Sequence, residues 1–529
     1  MNNQTLATRR PGLTLAVLCS SVFIIVVDGT IVNVALPTLV RDLGATTSQL
    51  QWIVDAYVLV FAGLLMAAGS VGDRFGRKGV LQLGLVVFAV TSVFASLADS
   101  AGELIAWRAA MGVGGAMIFP ATLATLVNVF TEPRKRAVAI SIWAATSGLA
   151  VATGPVVGGL LLRHFSWGSI FLVNVPVSIL AIAMIAWVVP PSRDTTLHRF
   201  DPLGVLLSIG GVTVLVWAVI EGPTYGWLSL ETAGAFLLAA VLLAVFVLWQ
   251  RRTDHPMLDV RVFTNMRFTA GSLAVMFAFF ALFGFVFMVT QYFQFVRGYD
   301  TLEAGVRTVP FAVFTGAAAP SSARLAHRFG TKPVVAAGLF SMAVGFAWTA
   351  TIAVDSSYWV IIGQMFFMGG GLGLVNAPAT EAIMGSLPPE KAGVGSAVND
   401  TSRELGGTLG VAIIGSLFAS IYASKLGELL LGSPLPADAV AVAKESAGAG
   451  VEVARIAGEQ AGPAAQAFVQ QAVNTSFMDG FHAGCWVSSG VVLAGSLCAA
   501  RWLPSRALEV AEHAAHPQPL AEPAIYIAD

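Results

Sequence analysis

An all-α integral membrane protein is the fold class this sequence predicts, on three observations. Of its 529 residues 56% are hydrophobic and 11% charged, with a mean hydropathy of +0.78, where a soluble domain carries about 25% charged residues. Apolar runs of membrane-crossing length recur along the chain, and the basic residues collect between alternate runs. In hydrocarbon the backbone must bond to itself, which a helix does within one segment. The net charge of −1 argues against a nucleic-acid partner. Cys19, Cys485 and Cys498 all fall in apolar stretches, so no disulfide framework or metal site is expected.

The first element follows a short cytoplasmic start, residues 1–12, containing Thr8-Arg9-Arg10-Pro11. This start superficially resembles a twin-arginine signal peptide. The apolar run, however, continues to Leu36, contains Asp28, lacks a small-x-small cleavage site near its end and is followed by many similar runs. It reads as a membrane helix.

Crossing roughly 30 Å of hydrocarbon takes about 20 helical residues. Six such runs lie near 13–36, 50–71, 80–98, 103–127, 137–162 and 168–189. Two follow near 202–220 and 229–249, then six more near 269–294, 306–326, 333–352, 358–384, 398–424 and 481–503. The expected organisation is therefore a six-helix unit over 13–189, a two-helix insert within 190–268, and a second six-helix unit over 269–503. The one long loop, 425–480, is rich in Ala, Glu and Gln and is expected to face outward; its pattern allows an amphipathic helix around 437–473 and shows no chemistry. The tail, 504–529, reads as disordered and cytoplasmic.

Charge placement supports the count of fourteen spans. With both termini in the cytoplasm, most of the 29 basic residues fall on that side, including the clusters Arg74-Arg77-Lys78, Arg134-Lys135-Arg136, Arg251-Arg252 and Arg324-Arg328-Lys332. An internal repeat gives the same answer. Gly72-Asp73-Arg74-Phe75-Gly76-Arg77-Lys78, after the second run, returns eight runs later as Ala326-His327-Arg328-Phe329-Gly330-Thr331-Lys332. Phe119-Pro120-Ala121-Thr122 returns as Ala377-Pro378-Ala379-Thr380 at the same interval. Parallel repeats of this kind place a substrate site at mid-depth between two halves.

Gly69-Ser70-Val71-Gly72-Asp73-Arg74-Phe75-Gly76-Arg77-Lys78 resembles the signature loop of the major facilitator superfamily. Asp28-Gly-Thr-Ile-Val-Asn33-Val-Ala-Leu-Pro37, Arg108 with Gly112 and Gly114, Gly148 to Gly159, and Asn174-Val-Pro176 resemble the fourteen-helix drug:proton antiporter branch. The resemblance covers essentially the whole chain. It implies a major facilitator fold with two six-helix bundles, a multi-pass place in the bacterial cytoplasmic membrane, and efflux of lipophilic or cationic small molecules in exchange for protons. A dedicated exporter of an endogenous lipid, antibiotic or siderophore is the alternative. The implied partners are substrate, protons and lipid for a monomeric chain, with the proton gradient as energy source and no cofactor. Two departures stand out: Trp167-Gly-Ser-Ile-Phe171 lacks the arginine often found before Asn174, and His327 replaces the acid in the second copy of the loop.

A charge at mid-bilayer costs about 2.5–3.5 kcal/mol on insertion scales, so each one is a functional candidate. Asp28, some fifteen residues into the first helix, is the first choice for binding and releasing a proton. Arg108 is expected to pair with a carboxylate of the first half, for proton coupling or as a purely structural ion pair. Asp55, about five residues into its run, and Glu221 are candidates that an interfacial position would also explain. Glu381 stands where the repeat has Leu123; it suits a cationic substrate or a second proton, or equally a wet carboxylate. Asp400, Arg403 and Glu404 open the thirteenth run, as caps or as a gate ion pair. Asp28, Asn33, Glu381, Phe283 and Gln291 make up the expected substrate cavity. The expected gates are Gly69, Asp73, Arg74, Gly76, Arg77 and Lys78, with Arg403, and Gly154, Pro155, Gly158 and Gly159 in the fifth helix. Small residues there permit close helix packing, and Pro155 removes a backbone hydrogen bond. No nucleophile with a base, phosphate loop or metal-ligand spacing is present, so no enzyme is expected.

Overall fold

The computed structural model describes residues 11–130, 132–190, 201–253, 256, 258–387 and 392–504. Its long helices are α1 (Pro11–Leu43), α2 (Thr47–Phe75), α3 (Arg77–Ser96), α4 (Ala101–Val129), α5 (Pro133–His164), α6 (Asn174–Val188), α7 (Pro202–Tyr225), α8 (Leu230–Arg252), α9 (Met266–Gln291), α10 (Thr301–Phe329), α11 (Thr331–Thr349), α12 (Tyr358–Met384), α13 (Ala392–Leu429) and α14 (Pro463–Trp502). Their starts follow local chemistry. The hydroxyl of Thr46 accepts from the Gln49 backbone N–H while the Gln49 side chain returns to Thr46, and Asp201 and Asp300 cap α7 and α10.

Twelve helices among the described residues are long and apolar enough to cross a membrane, thirteen if bent α5 is one span. The fourteen expected runs are all helical, but fewer than fourteen meet that test. α10 is the helix outside the set. Thr308, Pro310, Thr315, Gly316, Pro320, Ser321 and Ser322 dilute its apolar content. α5 bends by 41° between Val138–Val151 and Thr153–His164, just before Pro155, whose ring nitrogen cannot donate to the preceding turn.

Helices α1–α6 pack among themselves, as do α9–α14, and the two groups meet along two seams, α5 against α10 and α2 against α13. These seams are equivalents under the eight-helix repeat. The turn glycines carry that repeat into three dimensions: Gly76 (φ 108°) and Gly330 (φ 93°) both adopt a conformation that glycine alone takes without strain. Close helix packing is shared too, since a Cβ on Gly112 would meet the Tyr57 carbonyl and one on Gly369 the carbonyl of Phe311, the repeat equivalent of Tyr57. α7 lies across the α2–α13 seam, where Val216, Val219 and Ile220 pack with Leu59 and Ala412, while α8 stands against α7.

The long loop differs from its expected form. α13 runs on to Leu429, and α14 begins at Pro463, well before the apolar run near 481. The single amphipathic helix is two, Ala437–Glu445 and Ala447–Ala461, because Ser446 is extended (φ −160°) and caps the second, which Gly462 (φ 90°) ends. This pair reaches across both groups. Tyr422 donates to the carbonyls of Ala443 and Ser446, Thr47 donates to the Glu445 carbonyl, and Gly448 packs on Val40 and Phe295. Arg455 bonds Glu452 and Glu459, and its guanidinium holds the Glu452 carboxyl below the usual range.

Candidate functional site

An ion pair is shut inside the α1–α6 group. Arg108 Nη1 lies 2.5 Å from Asp28 Oδ2, and both side chains are fully buried. The glycines of α4 let Arg108 reach this depth, because Gly112 brings α4 against the α2 backbone and Gly114 brings it against Phe88 of α3. Arg108 Nε donates to the Ile53 carbonyl at 3.0 Å, and its guanidinium carbon sits 4.4 Å from the centre of the Tyr57 ring and 5.8 Å from that of Phe171. Asn174, at the start of α6, donates to Asp28 Oδ1 at 2.7 Å and to Ser92 Oγ at 3.2 Å. Each carboxylate oxygen therefore has its own donor.

This geometry has a cost as well as a use. Two charges stripped of water break even only when their remaining valences are satisfied, and here four helices supply the partners. Among the described residues Arg108 Nη2, Asn174 Oδ1 and Ser178 Oγ have no partner, so the network holds spare donors and acceptors next to the pair. Replacing Asn174 by Ala is expected to leave Asp28 Oδ1 undonated and to lower stability by about 1.5–3 kcal/mol; thermal unfolding of the purified protein in detergent measures it.

Of the expected proton-coupling set, the structure brings together Asp28 and Arg108. Asp55 lies in the third turn of α2, which begins at Thr47, and its side chain is fully buried with neither carboxyl oxygen hydrogen-bonded among the described residues. Glu381 is exposed on α12. Glu221 accepts from the Trp52 indole at 3.1 Å, tying α7 to α2. Asn33 is buried and turns back to the Gly29 and Thr30 carbonyls of its own helix. Gln291 likewise donates to the Phe287 carbonyl, and Phe283 packs on Gly407 and stacks with Phe279.

The acid–base cluster of α13 does not open its helix, which starts at Ala392. Arg403 donates to Asn376 Oδ1 at 2.7 Å and to Thr380 Oγ1 at 3.3 Å, and lies 5.3 Å from the Phe279 ring centre. Capping is thus excluded for it, and its hydrogen-bond partners are neutral. The repeat equivalent of Thr380, Thr122, receives the Trp143 indole at 3.2 Å, so one interhelical contact is made by a neutral ring in one group and a cation in the other. At the signature loop Lys78 donates to the Ala186 carbonyl and Arg77 to that of Ala124, while Gly69 passes Pro120; the side chains of Asp73 and Arg74 lie outside the described residues.

The glycines of α5 split between two neighbours. A Cβ on Gly154 or Gly158 would press on Thr30 or Ile31 of α1, whereas one on Gly159 would meet Thr301 and Leu302 of α10, and one on Gly305 would meet Pro155. Thr301 Oγ1 donates to the Gly159 carbonyl, and Gln294 donates to the Val34 carbonyl from the π-helical turn Tyr292–Val296. Gln51 donates to the carbonyls of Val411 and Ala412. Gln51, Gln294, Thr301 and Asn174 were not assigned roles from the sequence, because single amides and hydroxyls in apolar runs carry no spacing signal. No cluster of three or more potential metal ligands occurs among the described residues.

Comparison with known proteins agrees with this architecture. Residues 18–411 match the model of the Major Facilitator Superfamily. The chain is 38% identical over 445 residues to the multidrug efflux pump LfrA of Mycolicibacterium smegmatis, covering 84% of this chain and 88% of that protein. It is 35% identical over 448 residues to the methyl viologen resistance protein SmvA of Salmonella typhimurium, covering 84% and 89%. The tetracenomycin C resistance and export protein of Streptomyces glaucescens is 32% identical over 497 residues, covering 93% and 91%. In fold, the chain resembles an inward-facing bacterial homologue of the lysosomal transporter Spinster (TM-score 0.63, 16% identity, 94% and 98% covered) and the xylose transporter XylE from E. coli (TM-score 0.58, 14% identity, 93% and 98% covered). With the signature loop, the repeat and the buried pair in place, the chain belongs to the Major Facilitator Superfamily, in company with its multidrug efflux and resistance proteins.

Proposed function

We propose that this protein exports lipophilic or cationic small molecules in exchange for protons, by alternating access between the α1–α6 and α9–α14 groups. The observation that carries the reading is the fully buried Asp28–Arg108 pair. A proton on Asp28 cancels its charge and releases Arg108, so the pair is a two-state element that a proton can bias. The relatives with multidrug efflux and methyl viologen resistance in their names support the substrate class. In this reading all fourteen long helices cross the membrane, both termini are cytoplasmic, Asp55 and Glu381 serve further protons or cations, and Asn33, Phe283 and Gln291 border the substrate path. The signature loop and Arg403 gate the cytoplasmic side, and Gly154, Pro155, Gly158 and Gly159 let α5 rock against α1 and α10. Inward proton flow supplies about 2.3 kcal/mol per charge per 100 mV.

The test uses inside-out vesicles with an acid interior. Adding ethidium is expected to release protons with the native protein and to release none with Asp28→Asn. A second reading, a dedicated exporter of one natural product, draws on the resemblance to the tetracenomycin export protein. Silence of the native protein toward a broad panel of lipophilic cations would move the assignment there.

A further inference from the structure

At one end of the α5–α10 seam, two tyrosines and an acid surround an arginine in an assembly that the export reading does not use. α10 begins at Thr301, at the end opposite its signature-like turn, which is the outer end in the proposed topology. Basic residues are scarce on that side of a membrane protein. Arg307 nevertheless stands there, less than two turns into α10, with its side chain 25% exposed.

The guanidinium is held as a bound cation would be. Its carbon lies 4.1 Å from the centre of the Tyr299 ring and 4.5 Å from that of Tyr358, and Nη2 lies 2.5 Å from the Glu303 carboxylate. Aromatic faces beside a carboxylate are the chemistry that recognises an organic cation. The cage is also built without help from that guanidinium. Arg297 donates to the Tyr299 hydroxyl at 3.1 Å and to the Val354 carbonyl at 2.7 Å, and the Tyr358 hydroxyl donates to the Arg307 main-chain carbonyl at 3.0 Å. Glu303 is fixed in the first turn of α10, its backbone N–H donating to the Asp300 cap. Swinging the Arg307 side chain away therefore leaves both rings and the carboxylate in place.

A groove of about 490 Å³, lined by Arg163, Leu302 and Val306 together with Glu303, Arg307 and Tyr358, opens at the cage. That volume is in the range of small-molecule sites. Leu302 is also where α10 meets Gly159 of α5, so the groove borders the seam itself. Arg163 belongs to α5, whereas the cage belongs to α10, α12 and the turn before α10. Parting of the seam thus carries one positive charge of the groove away from the cage.

We propose that Tyr299, Tyr358 and Glu303 form an outer binding site for organic cations of delocalised or quaternary charge, filled by Arg307 until such a cation displaces its guanidinium. That this cation is the exported molecule on its way out rests on the export reading. The exchange is one cation for another, so Glu303 keeps a counter-ion throughout and no charge is stranded. Arg307 competes for the same place at all times, which keeps the affinity low and returns the ligand to water, as a site of departure requires.

The experiment approaches the site from outside alone. Propidium, an organic cation that does not cross membranes, is added to right-side-out vesicles holding the full-length chain with Cys19→Ala, Cys485→Ala, Cys498→Ala and Val306→Cys. Labelling of position 306 by a membrane-impermeant maleimide is then followed, each variant being compared with its own rate without propidium. The expected result is protection, half-complete at a concentration that Arg307→Gln lowers by about tenfold because the competitor is gone. Guanidinium chloride added to Arg307→Gln reverses that gain, since it returns the missing group. Tyr358→Leu and Glu303→Gln each raise the half-protecting concentration by about three- to tenfold, and Tyr358→Trp, which keeps an aromatic face, does not. Absence of protection both with Arg307 present and in Arg307→Gln, or a half-protecting concentration that Tyr358→Leu and Glu303→Gln leave unmoved, overturns the site. Ethidium-evoked proton release by the native protein decides the export reading separately: release without protection removes this site alone, whereas protection without release keeps the site and removes its part in export.

Discussion

Arg108→Ala is expected to lower the stability of the purified protein by about 3–5 kcal/mol, because it strands Asp28 as an unpaired charge among buried neighbours. The number belongs to the broken pair and not to the worth of the intact one. Replacing both members with apolar side chains, Asp28→Leu with Arg108→Met, is therefore expected to restore most of the lost stability, since similar volume returns without a desolvated charge. Transport separates the two roles. Single and double variants should all fail to exchange ethidium for protons, so the double variant is a folded protein without coupling. Unfolding measured beside vesicle transport checks this, and a double variant that transports would reduce the pair to structural glue.

Gly159→Val should be the most damaging change on α5. Even a Cβ there meets the Thr301 carbonyl and the Leu302 backbone, and these are main-chain atoms that cannot swing aside. A branched side chain must push the ends of α5 and α10 apart and break the bond from Thr301 to the Gly159 carbonyl. The expected outcome is a loss of transport of at least about tenfold, equivalent to 1.4 kcal/mol or more in the balance between states. In parallel, Thr301→Cys becomes reactive toward a membrane-impermeant maleimide added from that side. Unchanged labelling in the Gly159→Val background would show that the helices accommodate the group elsewhere.

Much of the fold was legible because membrane helices announce themselves by length and hydropathy, and because the repeat supplied an independent count. Asp28 was legible for a related reason: a carboxylate fifteen residues into an apolar run has few bland explanations. α10 shows where hydropathy fails, since its prolines, serines and glycine lower the very quantity that marks a span. The burial of Asp55 was not legible, because the apolar run begins near Leu50 while the helix begins at Thr47, and because spacing along one run does not say what packs against it. Asn174 stood in view inside a resembling motif, yet its bond to Asp28 spans 146 positions and is invisible to spacing. The loop helices beyond Leu429 were unreadable in detail for a different cause, as one extended serine divides a pattern that suits continuous helix.

Among the described residues, four side chains that join the two helix groups share one chemistry. Thr47, Gln51, Gln294 and Thr301 each give a neutral amide or hydroxyl hydrogen to a main-chain carbonyl. Dissolved ions shield only charges, over about 8 Å at physiological ionic strength, so salt has nothing to act on in these four contacts. A closure built this way keeps the same strength in brackish and in dilute surroundings, and leaves control of opening to the few ionisable groups inside.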